Sequence, residues 1–475
     1  MFGASFSFVI ETEVSPAYFD DLLEFILRHH LLAHRETYRN AKRTSVGDEP
    51  SLSFTAVEPK GGGHLDAEMT IGQRVQVKMA PGEGTVPQEF LDQIRDDLID
   101  AVQFFEEQLR GTTLYFAWLE GEKVVPEKPP QRRESFVQRL FSESMLWFFV
   151  VFIAANILLF AVLGPYAPVA LVLLQFLMVL FSDRIIARTG DWRITRENPN
   201  VHLLQYQLPP QAGQGLPDKV REDQLLQIKK EIYESTLAVG NPVECETAGG
   251  ALSRYGFECS PENMSTKTVN VYEIVKRAAE KFKLPVPLIV IANTILPNAA
   301  ASGPSPSHGI VLITTGLLVQ LEEDEILNVL GHEFSHLRRR DTLVLFGITS
   351  TEYLLRIYVF LPFILAFWFL YFIFALGAVF LVAKFLEARA DLESAIVLGE
   401  PRVLAESLRK IGFRRLQLEK MPAFRVQEWI GWDPHPPIYF RVARLEKLGD
   451  PSKVRHPFLQ SVKDNIQGFK EALLG

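Results

Sequence analysis

The chain has 475 residues, enough for two or three domains, and its 48% hydrophobic content with 35 Phe hides strong local clustering. A formal net charge of −8, with no basic stripe carrying interleaved aromatics, excludes nucleic acid as an expected partner. Only Cys245 and Cys259 are cysteines, so a disulfide framework is not expected and a reducing compartment is the natural setting. A bond between those two, or a shared zinc, is the minor alternative.

The first residues, MFGASFSFVIETEVS, lack the basic start and long apolar core of a signal peptide and read as a strand, which predicts a cytosolic first domain. Ala4–Glu11 reads as a strand and Pro16–Arg35 has helical apolar spacing. Ser51–Val57 and His64–Lys78 read as strands, Pro87–Leu109 as an amphipathic helix and Thr112–Leu119 as an aromatic strand. This βαββαβ order over 1–120 predicts a small ferredoxin-like α/β domain of unassigned role. His64, beside glycines, reads as a turn residue.

Residues 121–143 read as a linker, with clustered Pro and charge. From Ser144 to Ser182 no charged residue occurs, a run long enough for two bilayer passes. Gly164, Pro165 and Pro168 near its midpoint predict a turn, hence a transmembrane hairpin over 144–183 with arms at about 145–163 and 166–182. Residues 184–341 return to soluble composition, with helices predicted over Pro217–Ser235, Val269–Phe282 and Glu322–Arg339 and strands over Pro287–Asn293 and Gly309–Thr314. Residues 342–383 are again apolar, with Pro362 as a turn between two short helices. Glu352 and Arg356 stand four apart in the first of these, where they can pair on one face, and a re-entrant helix is the alternative there. Residues 384–475 form a soluble tail.

The chemistry centres on HEFSH, residues 332–336. His332 and His336 lie four positions apart, so on a helix both imidazoles leave one face at a separation that suits one Zn²⁺. Glu333 follows on the side where it reaches a metal-bound water as general base. Alone the motif is weak, arising by chance in roughly one to two chains per hundred of this size. A catalytic zinc usually has three protein ligands, and Glu387 in FLEARADLESA is the best third candidate. Asp391, one turn on, is placed to accept a hydrogen bond from a ligating imidazole. The bland alternative makes both exposed carboxylates paired with Lys384 or Arg389. If His336 and Glu387 share one ion, the segment between them crosses the bilayer an even number of times. Arg132, Arg133, Arg139, Arg184 and Arg188 flank the first hairpin, and Arg338, Arg339, Arg340, Lys384 and Arg389 the second. All lie on one side in a two-hairpin arrangement, which the positive-inside tendency makes cytoplasmic.

The segments PNAAASG, TTGLL, EDEILNVLGHEFSHLRRRDTL, EARAD and DPHPPIYFRVARL, all within about 220–450, resemble the HtpX-type membrane metalloproteases and their relatives among the CaaX prenyl proteases. The resemblance does not reach residues 1–130. It implies a gluzincin fold with His332, His336 and Glu387 as zinc ligands and Glu333 as general base; with the two apolar hairpins, the expected chain is α+β, mainly helical in the protease domain, with about four transmembrane helices. It also implies that PNAAA is an edge strand beside the site, with Asn298, Ala299 and Ala300 near substrate; without it Asn298 reads as a loop residue. His435 and Arg441 match the HP…R element of the family, with a role at the oxyanion implied. Phe334 and Ser335 stand where small apolar residues are commoner, at a variable position. The expected function is a multi-pass membrane zinc endopeptidase that cleaves membrane or misfolded proteins. Prenyl-protein processing is the runner-up, and a non-catalytic membrane scaffold or sensor with structural zinc is the alternative of another class.

Overall fold

The computed structural model describes residues 6–47, 49–58, 63–72, 74–82, 86–126, 157–188, 190–208, 222–431 and 433–474. The described residues form two compact units, one from 1–116 with 203–267, the other from 117–202 with 268–475.

In the first unit, strands β1 (Phe6–Glu11), β2 (Tyr38–Val46), β3 (Glu49–Val57), β4 (His64–Thr70) and β5 (Arg74–Pro81) form one sheet in the order β1-β5-β4-β3-β2. Alternation explains its faces: Val75, Val77 and Met79 of β5 are buried while Arg74, Gln76 and Lys78 are exposed. Helices α1 (Phe19–Phe25) and α2 (Gln88–Arg110) complete the core, α2 through Phe90, Ile94, Leu98, Ala101, Val102 and Phe105, spaced three or four apart.

The ferredoxin-like expectation is corrected here. The order β1-β5-β4-β3-β2 makes β2 to β5 a consecutive antiparallel meander with β1 at the edge, whereas a split βαβ arrangement places its first strand inside the sheet. The extra strand is β2, which buries only Tyr38 and shows no apolar alternation to betray it. Thr113–Leu119 joins a different sheet, between no partners of β1–β5 but with Asn200–Gln207 as its neighbour and Met264–Asn270 beyond. The cysteine reading is corrected as well. Cys245, the first residue of the helix Cys245–Ser253, is disulfide-bonded to Cys259, because the chain after that helix doubles back to its start.

The second unit holds a four-stranded sheet of β6 (Trp192–Ile194), β7 (Leu288–Ala292), β8 (Ala299–Ser302) and β9 (Ile310–Thr314), ordered β8-β9-β7-β6, so β8 is an edge. Its helices include α3 (Ala167–Leu180), α4 (Val271–Phe282), α5 (Glu323–Arg339), α6 (Asp341–Tyr358), α7 (Leu361–Leu398), α8 (Pro401–Ile411) and α9 (Ile438–Glu446).

Residues 145–156 of the expected first hairpin lie outside the described residues. Ile157–Leu180 comes out as one candidate span of 24 residues, through a 3₁₀ turn at Gly164–Tyr166. Only 17% of its most apolar window is buried, unlike the core helix of a soluble protein. Its α3 portion packs against α6, where the Phe176 and Phe346 rings are 5.6 Å apart. Helix α6 pairs Glu352 with Arg356 at 3.4 Å, as its spacing predicts, and Tyr371 of α7 donates to Glu352 at 2.9 Å. Helix α7 bends by 72° between Leu361–Tyr371 and Ile373–Leu398. By length and composition the described residues thus hold one helix able to cross a membrane, or two if the bent pair is one span, in place of the expected four. Charge explains α6: Asp341, Glu352 and Arg356 within 18 residues lower its hydropathy below that of a free-standing span.

Candidate metal centre

Helix α5 starts at a capping box in which the Glu325 carboxylate accepts the Glu322 N–H at 2.9 Å. It ends at Arg340, whose φ of 57° breaks the helical path. Between these ends, Phe334 is fully buried against Phe282 of α4, ring centroids 6.1 Å apart, and Ser335 donates to Glu393 at 2.9 Å. Phe334 therefore faces the core and Ser335 faces Glu393 of α7, and the histidines lie on a neighbouring face.

That face is closed by α7. Gly331 sets the approach of the two helices: a Cβ there would lie 2.5 Å from Ser394 Oγ and 2.6 Å from Leu398 Cδ1. Ser394 donates to the Asn328 carbonyl at 3.0 Å across the same contact. Close packing at this point brings Glu387, two turns earlier on α7, against both imidazoles. His332 Nε2 and His336 Nε2 are 3.2 Å apart, and the Glu387 oxygens lie 3.2 Å from the first and 3.4 Å from the second. The segment 341–384 thus leaves α5 and returns to it. Neither bland partner holds Glu387: Lys384 donates to the Gly431 and Asp433 carbonyls, and Arg389 is bound to Asp341.

Both imidazoles are oriented from behind. His332 Nδ1 is 2.8 Å from Asp391 Oδ1, and His336 Nδ1 is 2.7 Å from Asp341 Oδ2. A carboxylate accepts only, so each Nδ1 carries the proton and each Nε2 turns a lone pair inward. Two Nε2 atoms and a buried carboxylate then converge, and with a cation in place of the Nε2 protons they make a donor set that fits a metal. The electrostatics agree. Burial works against charge on His332, yet Asp391 and Glu387 push its pKa up to about 10, so the site favours a positive charge. Burial likewise opposes ionisation of Glu387 and Asp391, but His336 beside the first and Arg441 beside the second hold them well below the usual carboxylate range. Among the described residues, His332, His336 and Glu387 are the group able to hold a metal ion.

The remaining expected residues are distributed as follows. Glu333 Oε2 accepts the Ala301 N–H of β8 at 2.8 Å. Asn298 is held at the sheet edge by backbone bonds with Thr314, and Ala299–Ser302 runs antiparallel to β9 with Ala300 exposed. His435 reaches the centre, its Nε2 3.4 Å from Glu387 Oε2, and its Nδ1 is 3.0 Å from Asp433 Oδ1. Lys384 grips the loop that carries it. Arg441 differs from expectation: it is buried and its guanidinium is bidentate on Asp391, Nε to Oδ2 at 2.8 Å and Nη2 to Oδ1 at 2.7 Å. That geometry makes it a positioning residue behind His332. Sequence reasoning missed Asp341, Arg389, Asp433 and the Ala301 amide. For Asp341 the only signal was a carboxylate five residues after His336, at the end of the RRRD run.

Residues 265–449 match the family described as Peptidase family M48. A curated protein named "Protease HtpX homolog" from Thermodesulfovibrio yellowstonii is 29% identical over 238 residues, 42% of this chain and 80% of its own length. Another of that name from Campylobacter concisus is 51% identical over 73 residues, 15% of this chain and 25% of its own. A crystal structure of S. mikatae Ste24p aligns over 76% of each chain with 14% identity and a TM-score of 0.35.

Proposed function

The chain carries an HtpX-type domain of peptidase family M48, a metalloprotease domain, and from that premise we propose that it is a membrane-integrated zinc endopeptidase acting on membrane or misfolded proteins. The observation that carries this reading is the convergence of the two inward Nε2 lone pairs and Glu387, with Glu333 beside them on the same helix. Zinc held by His332, His336 and Glu387 supplies a Lewis acid that brings the pKa of a bound water near neutrality. Glu333 takes a proton from the attacking water and delivers it to the leaving amine. The edge strand β8 has one side without a strand neighbour, to which an extended substrate adds as a further strand beside the Glu333 contact at Ala301, over small side chains at Ala299 and Ala300. His435 stands at the rim of the centre, where its ring faces the position of the oxyanion that develops on the scissile carbonyl.

Exposed apolar side chains support the membrane assignment. Leu173, Leu174, Leu177 and Met178 on α3 and Phe363, Leu365, Trp368 and Phe369 on α7 all face outward, more than a water-facing surface tolerates in one region.

Purified wild type is expected to hold one zinc and to degrade casein in detergent; His332→Ala and Glu387→Ala are expected to lose both. Full metal content in both variants would remove the ligand assignment. The cytoplasmic placement rests on the basic flanks and is open to a direct check, because disulfides persist mainly in oxidising compartments. If the domain faces the cytosol, Cys245 and Cys259 take up a membrane-permeant alkylating reagent in intact cells without reductant. Protection that only reduction lifts would place that segment on the other side.

A further inference from the structure

Asp341 is where three elements meet. It is the first residue of α6, it accepts from His336 of α5, and it is gripped by Arg389 of α7, two residues beyond Glu387. Only Arg340, in the left-handed conformation, separates α5 from α6. No loop is present to absorb a shift of α6, so any displacement of that helix acts on Asp341 directly.

The pairing itself has an unused alternative. His336 Nδ1 and Arg389 Nη2 both converge on Asp341 Oδ2. Asp341 Oδ1 is buried with no hydrogen-bond partner, and so is Arg389 Nε, which lies 4.0 Å from Glu393 Oε1. An orphan acceptor and an orphan donor thus sit in one ion pair. A small rotation of the carboxylate would let Arg389 engage it through two parallel N–H···O bonds, the preferred arrangement of this pair. That rotation withdraws Oδ2 from His336, whose ring then loses the contact that keeps Nε2 turned inward.

We propose that Asp341 and Arg389 form a two-position coupling between helix α6, which packs against the candidate span through α3, and His336, through which the seating of α6 sets the metal affinity of the centre. The inference rests on the zinc reading above. In the seated position Asp341 holds His336 and affinity is high; when α6 shifts, Arg389 captures Asp341 and affinity falls. Helix α6 lies against α3, so lipid thickness is a physical means of moving it.

The test uses the full chain in lipid nanodiscs and reads zinc affinity by chelator competition, with the visible spectrum of the Co²⁺-substituted protein as a second readout. Asp341→Ala is expected to weaken zinc roughly 10- to 100-fold and to shift the Co²⁺ bands, whereas Asp341→Asn, which still accepts from Nδ1, recovers part of the loss. Between thin dimyristoleoyl and thick dierucoyl phosphatidylcholine bilayers, wild-type affinity is expected to change on the order of tenfold. Asp341→Ala and Arg389→Ala are expected to respond to neither lipid. Equal wild-type affinity in both bilayers, or an unchanged lipid response in the variants, overturns the coupling. His332→Ala, run alongside, separates the two layers: if it keeps zinc, the site reading itself has failed, and if it loses zinc while Asp341→Ala does not, only the coupling has.

Discussion

Glu333→Gln is expected to keep its metal and lose peptide hydrolysis by roughly 100- to 10,000-fold, the range of a general base. The substitution preserves shape and leaves all the proposed ligands in place. The amide oxygen still accepts the Ala301 N–H that the carboxylate holds at 2.8 Å, so β8 keeps its seat beside α5. What disappears is a group able to take a proton. Metal analysis together with single-turnover cleavage of an unfolded substrate reads the two properties separately. Turnover at the wild-type rate would transfer the base role elsewhere, and metal lost along with activity would mean that Glu333 helps to build the site.

Arg441→Met is expected to have an effect as large, but through a different channel. Asp391 is fully buried and has the Arg441 guanidinium on both oxygens, with His332 Nδ1 sharing one of them. Removing one partner of such a pair strands a charge, at about 3–5 kcal/mol. The protein then protonates Asp391 or rearranges it, and His332 loses its orienting acceptor, so zinc affinity falls. A residue that acted on the oxyanion would instead lower kcat and leave metal binding alone, and chelator competition decides between the two. The pH dependence has a definite sign. Burial opposes the charge on Asp391, but Arg441 and His332 depress its pKa below the unfolded carboxylate value. Its stabilising contribution is therefore present above that unfolded value and is lost only as pH falls through the lower folded one. In Arg441→Met the loss sets in at higher pH, and acid unfolding followed by circular dichroism should move upward accordingly. An unshifted acid transition would contradict the buried-pair account.

The legible part of the site was the local part. His332, Glu333 and His336 are related by one helical turn, and a helix converts that spacing into a shared face whatever surrounds it. Glu387 and Asp391 stand in the same relation on α7, so once one carboxylate is assigned the other follows. The unread residues are those whose partners are distant in sequence. Arg389 looked like a neighbour for Glu387 and in fact binds Asp341; Arg441 was expected at the oxyanion and is bidentate on Asp391. A charged side chain on a helix offers several candidate partners, and only packing chooses among them. The same reason applies to β2, an edge strand with one buried side chain, and to the Cys245–Cys259 bond, which needs the chain to fold back on itself.

Periodicity and apolar length, both properties of short stretches, are enough to place a two-histidine face on a helix, to mark where lipid-compatible segments lie, and to require that the segment between His336 and Glu387 return to its starting side. Which carboxylate stands behind which imidazole, and that one of them opens the next helix, depended on the close approach of α5 and α7 at Gly331 and on the single-residue turn at Arg340. Those contacts are set by the mutual fit of separate elements, and that fit exists only once the chain is folded.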